Sequence, residues 1–154
     1  MVLGIARLAV VGALAIAQRV VSRRADAAGA AGAVPFTPPV SVIVPAYNEG
    51  KVIIGTVASL LQQRYAGDLE IVIVDDGSAD DTLTIARDAF GDERRVTILT
   101  KPNGGKASAL NYGIGRARHE IVVCLDADTM FPPETVAELV RPLADPDVGA
   151  VAGN

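Results

Sequence analysis

The chain has 154 residues, half of them hydrophobic and 4% aromatic, and a formal net charge of −4 at pH 7. One globular domain with a substantial core fits this length, whereas the acidic balance and the lack of a basic, aromatic stripe argue against a nucleic-acid-binding protein. A single cysteine and a single histidine exclude an intrachain disulfide and a metal site built from thiolates.

Residues 1–21 form an apolar segment, with an uninterrupted run from Leu8 to Ala17 between Arg7 and Arg19. A bilayer span needs about 20 apolar residues, and the segment reaches this length if the two arginines extend towards opposite interfaces. A cleaved signal peptide and a surface-lying helix are the alternatives. We interpret the segment as a membrane-anchor helix, with the globular part of the chain on the cytoplasmic side of the cell membrane.

Residues 22–39 are rich in Ala, Gly and Pro and lack apolar periodicity, which is typical of a linker. Pro38 and Pro39 end any helix before the next element. We therefore predict an anchor helix, this linker, and one globular domain over residues 40–154.

Within the domain, short β-branched apolar runs alternate with segments in which apolar residues fall at helical spacing. The runs predict strands at 40–45, 70–75, 95–99, 120–126 and 148–153. Strand–helix alternation with short loops predicts the α/β class, with a mainly parallel sheet flanked by helices.

Local signals suggest where three of the helices begin. Asn48 is a candidate N-cap of the first helix, and Ser78 with Asp81 resembles a capping box at the start of the second. Pro132 or Pro133 suits the first turn of the last helix.

Polar side chains follow four of the predicted strands. The carboxyl ends of parallel strands meet at one edge of a sheet, where such folds bind ligands. We therefore expect these side chains to converge on one site: Tyr47 and Glu49 after the first strand, Asp75 and Asp76 after the second, Lys106 after the third, and Asp126 and Asp128 after the fourth.

Asp126 and Asp128 form a DxD pair directly after an apolar strand. Residues i and i+2 of an extended chain point to the same side, so both carboxylates can face a cation that offsets their repulsion. Mg²⁺ or Mn²⁺ binds one or two carboxylates and completes its shell with water and phosphate. A solvated turn before a helix is the alternative, and the motif alone does not decide.

Gly104, Gly105 and Lys106 precede a predicted helix. Glycines allow close backbone approach, helix starts favour anions, and an ammonium neutralises phosphate. The segment is not a Walker A loop, because Thr100 and Ala107 stand where Gly and Ser or Thr are needed. A plain turn that leads into a helix is the alternative.

Asp75 and Asp76 fit either a turn or a nucleoside contact. Asp favours turns and helix starts, but a carboxylate also accepts a hydrogen bond from a uracil imide or a ribose hydroxyl. Tyr47 could stack on a base or pack against the sheet. Together with the features for a diphosphate and a metal, Asp75 and Asp76 predict a pocket for a nucleoside diphosphate.

Four segments in this order, "VSVIVPAYNEG", "IVIVDDGSADDT", "NGGKASALNYGI" and "VCLDADTMFPPETV", resemble the inverting family 2 glycosyltransferases with the GT-A fold. The "NGGK" segment is most similar to membrane-anchored, processive synthases of chitin oligosaccharides and poly-N-acetylglucosamine. The resemblance implies a UDP-sugar donor, in particular UDP-N-acetylglucosamine, a growing glycan as acceptor, and Mg²⁺ or Mn²⁺ as cofactor.

The resemblance also implies roles by position. Tyr47 and Glu49 would line the uridine pocket, and Asp76, with Asp75, would contact uracil. Lys106 would lie beside the diphosphate. Asp126 would hold ribose or sugar, and Asp128 would bind the metal together with Asp126.

Inverting transfer needs a general base, which family members supply from a "TED"-like motif beyond the DxD, and processive members add "QxxRW". Neither motif occurs up to Asn154, and we identify no catalytic base in the chain. We therefore expect a donor-binding domain, truncated at its C-terminus, that does not transfer sugar alone and that another chain could complete.

Other functions fit the sequence less well. The same pocket could belong to a non-catalytic nucleotide-sugar-binding remnant or a regulatory subunit. "LDADTM" also fits the DxDxT motif of haloacid-dehalogenase-type phosphatases, but that motif follows the first strand of its domain. A phosphorelay receiver domain would need its acidic pair after the first strand, where this chain has "PAYNEG".

Overall fold

A computed structural model describes residues 35–153, in which strands and helices alternate along the chain. The elements are β1 (Val40–Ala46), α1 (Ile53–Leu61), β2 (Leu69–Asp75), α2 (Thr82–Phe90), β3 (Val96–Thr100), α3 (Lys106–Ile114), β4 (Ile121–Cys124), α4 (Thr135–Val140) and a 3-10 helix (Arg141–Ala144). The predicted anchor helix over 1–21 and most of the predicted linker lie outside the described residues. No helix in the described part is long and apolar enough to cross a membrane.

The four strands form one parallel sheet in the order β3–β2–β1–β4. The chain moves outward from β1 through β2 to β3 and then returns to the other side of β1 with β4. All four carboxyl ends therefore lie at one edge, which we call the carboxyl rim. The reversal of direction between β1 and β4 is the position at which open α/β sheets bind ligands. The predicted class, a parallel sheet flanked by helices, is confirmed.

Helices cover both faces of the sheet because β1 and β2 are apolar on both sides. Successive side chains of a strand point to opposite faces, so one set packs with α1, α2 and α4 and the other with α3. The first set includes Val42, Val44, Ile71 and Ile73, and the second includes Ile43, Val72 and Val74. Helix α3 lies close to the sheet at Gly113, where a Cβ would come within 2.6 Å of Ile43 Cγ2.

Pro45 lies where the pairing of β1 with β4 ends, near the carboxyl rim. The backbone carbonyl of Ala46 accepts from Asp76 on the β2 side, whereas that of Ile43 accepts from Leu125 on the β4 side. Pro45 is two residues after Ile43 and therefore also faces β4, where it has no N–H to donate. The pairing of β1 with β4 ends at Cys124, and the chain after β4 is released into the loop that carries the DxD pair.

A closed polar network lies at the opposite, amino edge of the sheet. Glu70 is 1% exposed and accepts hydrogen bonds from Ser41 Oγ at 2.6 Å and from Arg118 N and Nε, both at 2.9 Å. Ser41 Oγ in turn accepts from His119 N at 3.2 Å. Burial acts to raise the pKa of Glu70, but the bonds from Ser41 and Arg118 outweigh it and hold this pKa below its ordinary value.

The predicted fifth strand at 148–153 is wrong, since these residues are not in a strand and pair with none of the strands described in residues 35–153. Glycine and alanine fill four of the six positions in "VGAVAG", and both are poor strand formers. Among the described residues, β4 therefore has β1 as its one neighbour.

The predicted helix starts are also wrong in detail. Asn48 has a φ of 57° in a turn, and α1 begins five residues later, without a side-chain cap. Ser78 is not the cap of α2, because its hydroxyl accepts a hydrogen bond from Asn48 N at 3.0 Å. Helix α4 begins at Thr135, after both prolines.

Candidate functional site

Four loops follow the four strands at the carboxyl rim. Hydrogen bonds join the first loop to the second and the second to the third, and Lys106 at the start of α3 contacts the fourth. We number them in chain order: the first loop is residues 47–52, the second 76–81, the third 101–105 and the fourth 125–134. All the predicted site residues except two lie in these loops: Asp75 ends β2, and Lys106 begins α3.

Asn48 joins the first loop to the second. Its side-chain Oδ1 accepts from Ala79 N at 2.9 Å, and its own N–H donates to the Ser78 hydroxyl. The next amide, Glu49 N, donates to Thr82 Oγ1 at 2.8 Å. These bonds stabilise the left-handed backbone of Asn48, a conformation that asparagine tolerates better than most residues.

Tyr47 and Glu49 lie on either side of this junction. The Tyr47 side chain is 49% exposed, which leaves the ring accessible from solvent rather than packed against the sheet. Glu49 is half-buried. Both residues thus lie at the rim, where the sequence placed them, and their predicted contact with a nucleoside stays a prediction.

Asp76 joins the second loop to the third. Its Oδ1 accepts from Lys101 Nζ at 2.5 Å and from Gly104 N at 3.1 Å, and its Oδ2 accepts from Gly105 N at 2.7 Å. The residue is 3% exposed. Its acceptor positions are thus filled from within the protein, and a uracil imide would have to replace one of these donors.

The environment of Asp76 favours the ionised carboxylate. Burial acts to raise its pKa, but the hydrogen bonds from Lys101, Gly104 and Gly105 and the charge of Lys101 outweigh it, so the pKa lies below its ordinary value. Lys101 was missed from the sequence. The available signal was a lysine directly after the predicted third strand, facing an aspartate at the end of the second.

Asp75 is buried at the end of β2, and its carboxylate is hydrogen-bonded within the protein. It is 3% exposed, its Oδ2 accepts from Thr100 Oγ1 at 3.0 Å, and its Oδ1 accepts from Ser78 N at 3.3 Å. The carboxylate therefore joins the ends of β2 and β3. Its contacts support the turn interpretation, while a part in uracil contact stays untested.

Glycines allow the second and third loops to approach closely. At Gly77, with a φ of 70°, a Cβ would lie 2.8 Å from Asn103 N. Gly105 has a φ of 83° and directly precedes α3. Gly77 is needed both for its left-handed backbone and because a Cβ would collide with Asn103, whereas Gly105 is needed for its left-handed backbone alone.

Lys106, the first residue of α3 after the third loop, forms an ion pair between its Nζ and Asp126 Oδ1 of the fourth loop. The side chains are 62% and 55% exposed, respectively, so solvent screens the pair and it adds little to stability. The hydrogen bond and charge of Asp126, with a smaller effect of Asp128, raise the pKa of Lys106. Lys106 thus supplies part of the positive charge that the two aspartates require.

The fourth loop presents Asp126 and Asp128 to solvent because Ala127 between them is buried. The Ala127 carbonyl accepts from Thr56 Oγ1 of α1 at 2.6 Å, which fixes the loop against the helix. Asp128 is exposed and accepts from Thr129 Oγ1 at 3.3 Å. The DxD carboxylates are therefore accessible, in contrast to Asp75 and Asp76.

The DxD pair fits a cation only if other ligands take part. Within residues 35–153, no three His, Cys, Asp or Glu side chains are grouped so that they could hold a metal ion. Mg²⁺ and Mn²⁺ are commonly held by one or two carboxylates together with phosphate oxygens and water. Asp126 and Asp128 therefore match a cation that arrives with a diphosphate.

The chain is an α/β protein with a parallel sheet and a polar site at the carboxyl ends of its strands, and comparison with known proteins names its family. The chain belongs to glycosyl transferase family 2, whose family model matches residues 41–154. The resemblance inferred from the four motifs is confirmed, and the haloacid-dehalogenase alternative is set aside.

Two curated relatives are N-acetylglucosamine-transferring enzymes by name. An N-acetylglucosaminyltransferase of Rhizobium leguminosarum bv. viciae is 40% identical over 120 residues, which are 75% of this chain and 28% of that protein. A poly-beta-1,6-N-acetyl-D-glucosamine synthase of Staphylococcus epidermidis is 36% identical, over 75% of this chain and 28% of its own length. The chain thus spans less than a third of the length of either relative.

Two solved structures share the fold. The mannosyltransferase PcManGT from Pyrobaculum calidifontis, in complex with GDP-Man and Mn²⁺, has a TM-score of 0.70 at 39% identity, covering 77% of this chain and 36% of that one. TarS 1-349 of S. aureus, in complex with UDP-GlcNAc, has a TM-score of 0.59 at 32% identity, covering 65% and 29%. The fold is therefore GT-A-like.

Proposed function

We propose that this chain binds a UDP-sugar, with N-acetylglucosamine as the sugar, through a divalent cation at the DxD pair. In this proposal it is the donor-binding part of a polysaccharide-synthesising glycosyltransferase, held at the cell membrane with its globular domain on the cytoplasmic side. The acceptor is the growing glycan.

One observation carries the proposal: the four rim loops are joined in series by hydrogen bonds and an ion pair. Asn48 contacts the second loop, Asp76 contacts the third, and Lys106 contacts Asp126 of the fourth. Features for a nucleoside, a diphosphate and a cation therefore lie along one edge of one sheet. A nucleoside diphosphate sugar needs all three.

Names and ligands of similar proteins support the choice of donor. The Rhizobium and Staphylococcus relatives transfer or polymerise N-acetylglucosamine by name, and TarS was solved with UDP-GlcNAc. PcManGT was solved with GDP-Man, so the fold accepts more than one nucleotide. GDP-mannose is therefore the comparison ligand in the test below.

Each rim residue has a task in this proposal. Tyr47 and Glu49 line the uridine pocket, Lys106 moves its ammonium from Asp126 towards the diphosphate, and Asp126 and Asp128 hold Mg²⁺ or Mn²⁺. When bound, the cation would stabilise the negative charge that develops on the departing UDP. PcManGT was solved with Mn²⁺, which supports a divalent metal.

Catalysis requires a group that removes the proton of the acceptor hydroxyl. Among the described residues, the carboxylates that follow the DxD pair lie on or beside α4, as Glu134 and Glu138 do, or in the surface turn at 145–147. We propose that none of them is the base and that this chain alone binds donor without transferring sugar. A non-catalytic nucleotide-sugar-binding subunit would have the same binding properties.

Calorimetry with the full chain tests the proposal. UDP-GlcNAc is titrated with Mn²⁺ and again with EDTA, and GDP-mannose is titrated under the same conditions. We expect binding that needs Mn²⁺, prefers the uridine nucleotide and is lost in Asp128→Ala. Asp88→Ala, an exposed aspartate on α2, is the matched control and should bind as the parent does. Binding that survives EDTA or Asp128→Ala would contradict the proposal.

An assay of radiolabelled sugar incorporation separates binder from enzyme. We expect no incorporation by the chain alone under conditions in which it binds donor. Incorporation that disappears in Asp128→Ala would show that a catalytic base lies within these residues.

A further inference from the structure

We infer that Lys101 is a positioning residue for donor binding: its ammonium holds Asp76 against the amides of Gly104 and Gly105 and so fixes the start of α3, where Lys106 lies. This inference rests on the proposed function, because it concerns how the diphosphate side of the same site is set in place. Lys101 itself need not touch the donor.

The partly buried side chain of Lys101 links two segments of the chain. Its side chain is 12% exposed, in contrast to that of Lys106. Its Nζ donates to Asp76 Oδ1 at 2.5 Å and to the carbonyl of Pro102 at 2.6 Å, and its backbone N–H donates to the carbonyl of Asp75 at 3.1 Å. The residue is thus joined to the end of β2 and to its own loop.

The ammonium also lies over the glycine segment. A Cβ at Gly104 would come within 2.9 Å of Lys101 Nζ and 2.8 Å of Ser108 Oγ. A side chain at Gly104 would therefore collide with Lys101 and with α3 at once. The third loop is thus packed closely around Lys101, and a side chain at residue 104 would displace Lys101 Nζ and Ser108 Oγ.

The effect of this arrangement passes to Lys106 through Gly105. Gly105 donates its N–H to Asp76 Oδ2 at 2.7 Å, and its carbonyl accepts from Ala109 N at 3.1 Å in the first turn of α3. Asp76 therefore holds the residue from which the helix begins. Lys106 is the next residue, so its position at the rim depends on the same bonds.

Charge gives a second reason for Lys101. Asp76 is a buried carboxylate beside the loop proposed to face a diphosphate, and like charges repel strongly where water is excluded. Lys101 neutralises it by direct contact, whereas removing one partner of a buried ion pair leaves an uncompensated charge. Without Lys101, we expect Asp76 both to release the loop and to repel the donor.

Binding and amide exchange in the full chain test this inference. Lys101→Met removes the charge and keeps the length of the side chain. UDP affinity is measured by calorimetry with Mn²⁺, and hydrogen exchange of the Gly104 and Gly105 amides by NMR. We expect UDP affinity to fall about tenfold or more, which corresponds to loss of one charged hydrogen bond, and both amides to exchange faster.

Conservative and control variants distinguish positioning from general stability. Lys101→Arg keeps the charge and should retain most of the parent's UDP affinity and amide protection. Arg94→Met removes a positive charge before β3, at the amino edge of the sheet, and should leave both unchanged. If Lys101→Met does not fold, Lys101→Gln takes its place with the same expected results.

Two results would overturn the inference. One is UDP affinity within twofold of the parent in Lys101→Met, and the other is unchanged exchange at both glycines. If the parent chain does not bind UDP at all, the proposed function fails, and the amide exchange alone decides whether Lys101 positions the loop.

Discussion

Strand β2 carries a buried carboxylate at its amino end and another just past its carboxyl end, and the two differ in what their partners do. Glu70 is surrounded by Ser41 and Arg118, and this network contacts only framework segments. Asp76 is bound by Lys101 and by two glycine amides of a rim loop. Both have a pKa below the ordinary value, so the pKa alone does not separate them.

The two buried carboxylates differ in the elements that they connect. Glu70 connects β1, β2 and the segment before β4, which are parts of the framework. Asp76 connects the framework to a loop beside exposed Lys106 and Asp126. We therefore expect changes at the amino edge to affect stability alone and changes at the rim to affect binding as well.

The largest loss of stability is expected for Glu70→Ala. It leaves the Ser41 hydroxyl and the Arg118 amide without their acceptor, and breaking a buried ionic network of this kind costs about 3 kcal/mol in the free energy of unfolding. Urea unfolding measures this loss. The affinity of the folded fraction for UDP should not change, and a large loss of affinity would break the distinction between the two edges.

A smaller loss of stability, together with a loss of binding, is expected for Asp76→Asn. The substitution keeps the shape but removes the charge that faces Lys101, at a cost of about 2 kcal/mol. Urea unfolding and UDP calorimetry are run on the same preparation. If Asp76→Asn loses stability but keeps full UDP affinity, Asp76, like Glu70, serves stability alone.

Both carboxylates predict a loss of stability in acid. A group with a lowered pKa in the folded state stabilises the fold above its ordinary pKa, and this contribution disappears as the pH falls through the folded value. The free energy of unfolding should therefore fall as the pH drops below about 4. The slope should be reduced in Glu70→Gln and again in Glu70→Gln with Asp76→Asn, and an unchanged slope in the double variant would contradict the assignment.

The smallest effect on stability is expected for Asp128→Ala, because the side chain is exposed. Its free energy of unfolding should stay within about 0.5 kcal/mol of the parent value, while Mn²⁺-dependent binding of UDP is lost. Asp128→Ala should therefore lose binding and keep stability, whereas Glu70→Ala should lose stability and keep binding. A strongly destabilised Asp128→Ala would show that the DxD pair is structural.

The sequence predicted the sheet well because its four strands carry apolar, β-branched runs that no helix pattern imitates. It failed at 148–153, where two valines among glycines and alanines resembled a strand although no strand pairs with them. It also failed at Asn48 and Ser78. Their side chains favour helix caps locally, but in the fold they bond to each other's loops, a contact between residues 30 apart.

Sequence reasoning placed the predicted site residues of the globular domain at the rim, because the carboxyl ends of parallel strands must meet there. It could not tell the saturated Asp76 from the exposed Asp128, since burial depends on the third loop folding over the second. Lys101 and the Glu70 network were missed for the same reason. Each depends on a partner at least 25 residues away in the chain.

Paramagnetic broadening of NMR signals by Mn²⁺, measured on the full chain with UDP and with Mg²⁺ as the diamagnetic reference, would show whether the cation binds at the carboxyl rim. We predict that, as small fractions of Mn²⁺ are added, the amides of Gly105, Asp126 and Asp128 broaden first and most. Because the effect falls with the sixth power of distance, those of Ser41 and Glu70, about 17 Å away along the strands, should broaden far less. Broadening at the amino edge as strong as that at the rim, or none at the rim when UDP and Mn²⁺ are both present, would contradict the proposed cation site.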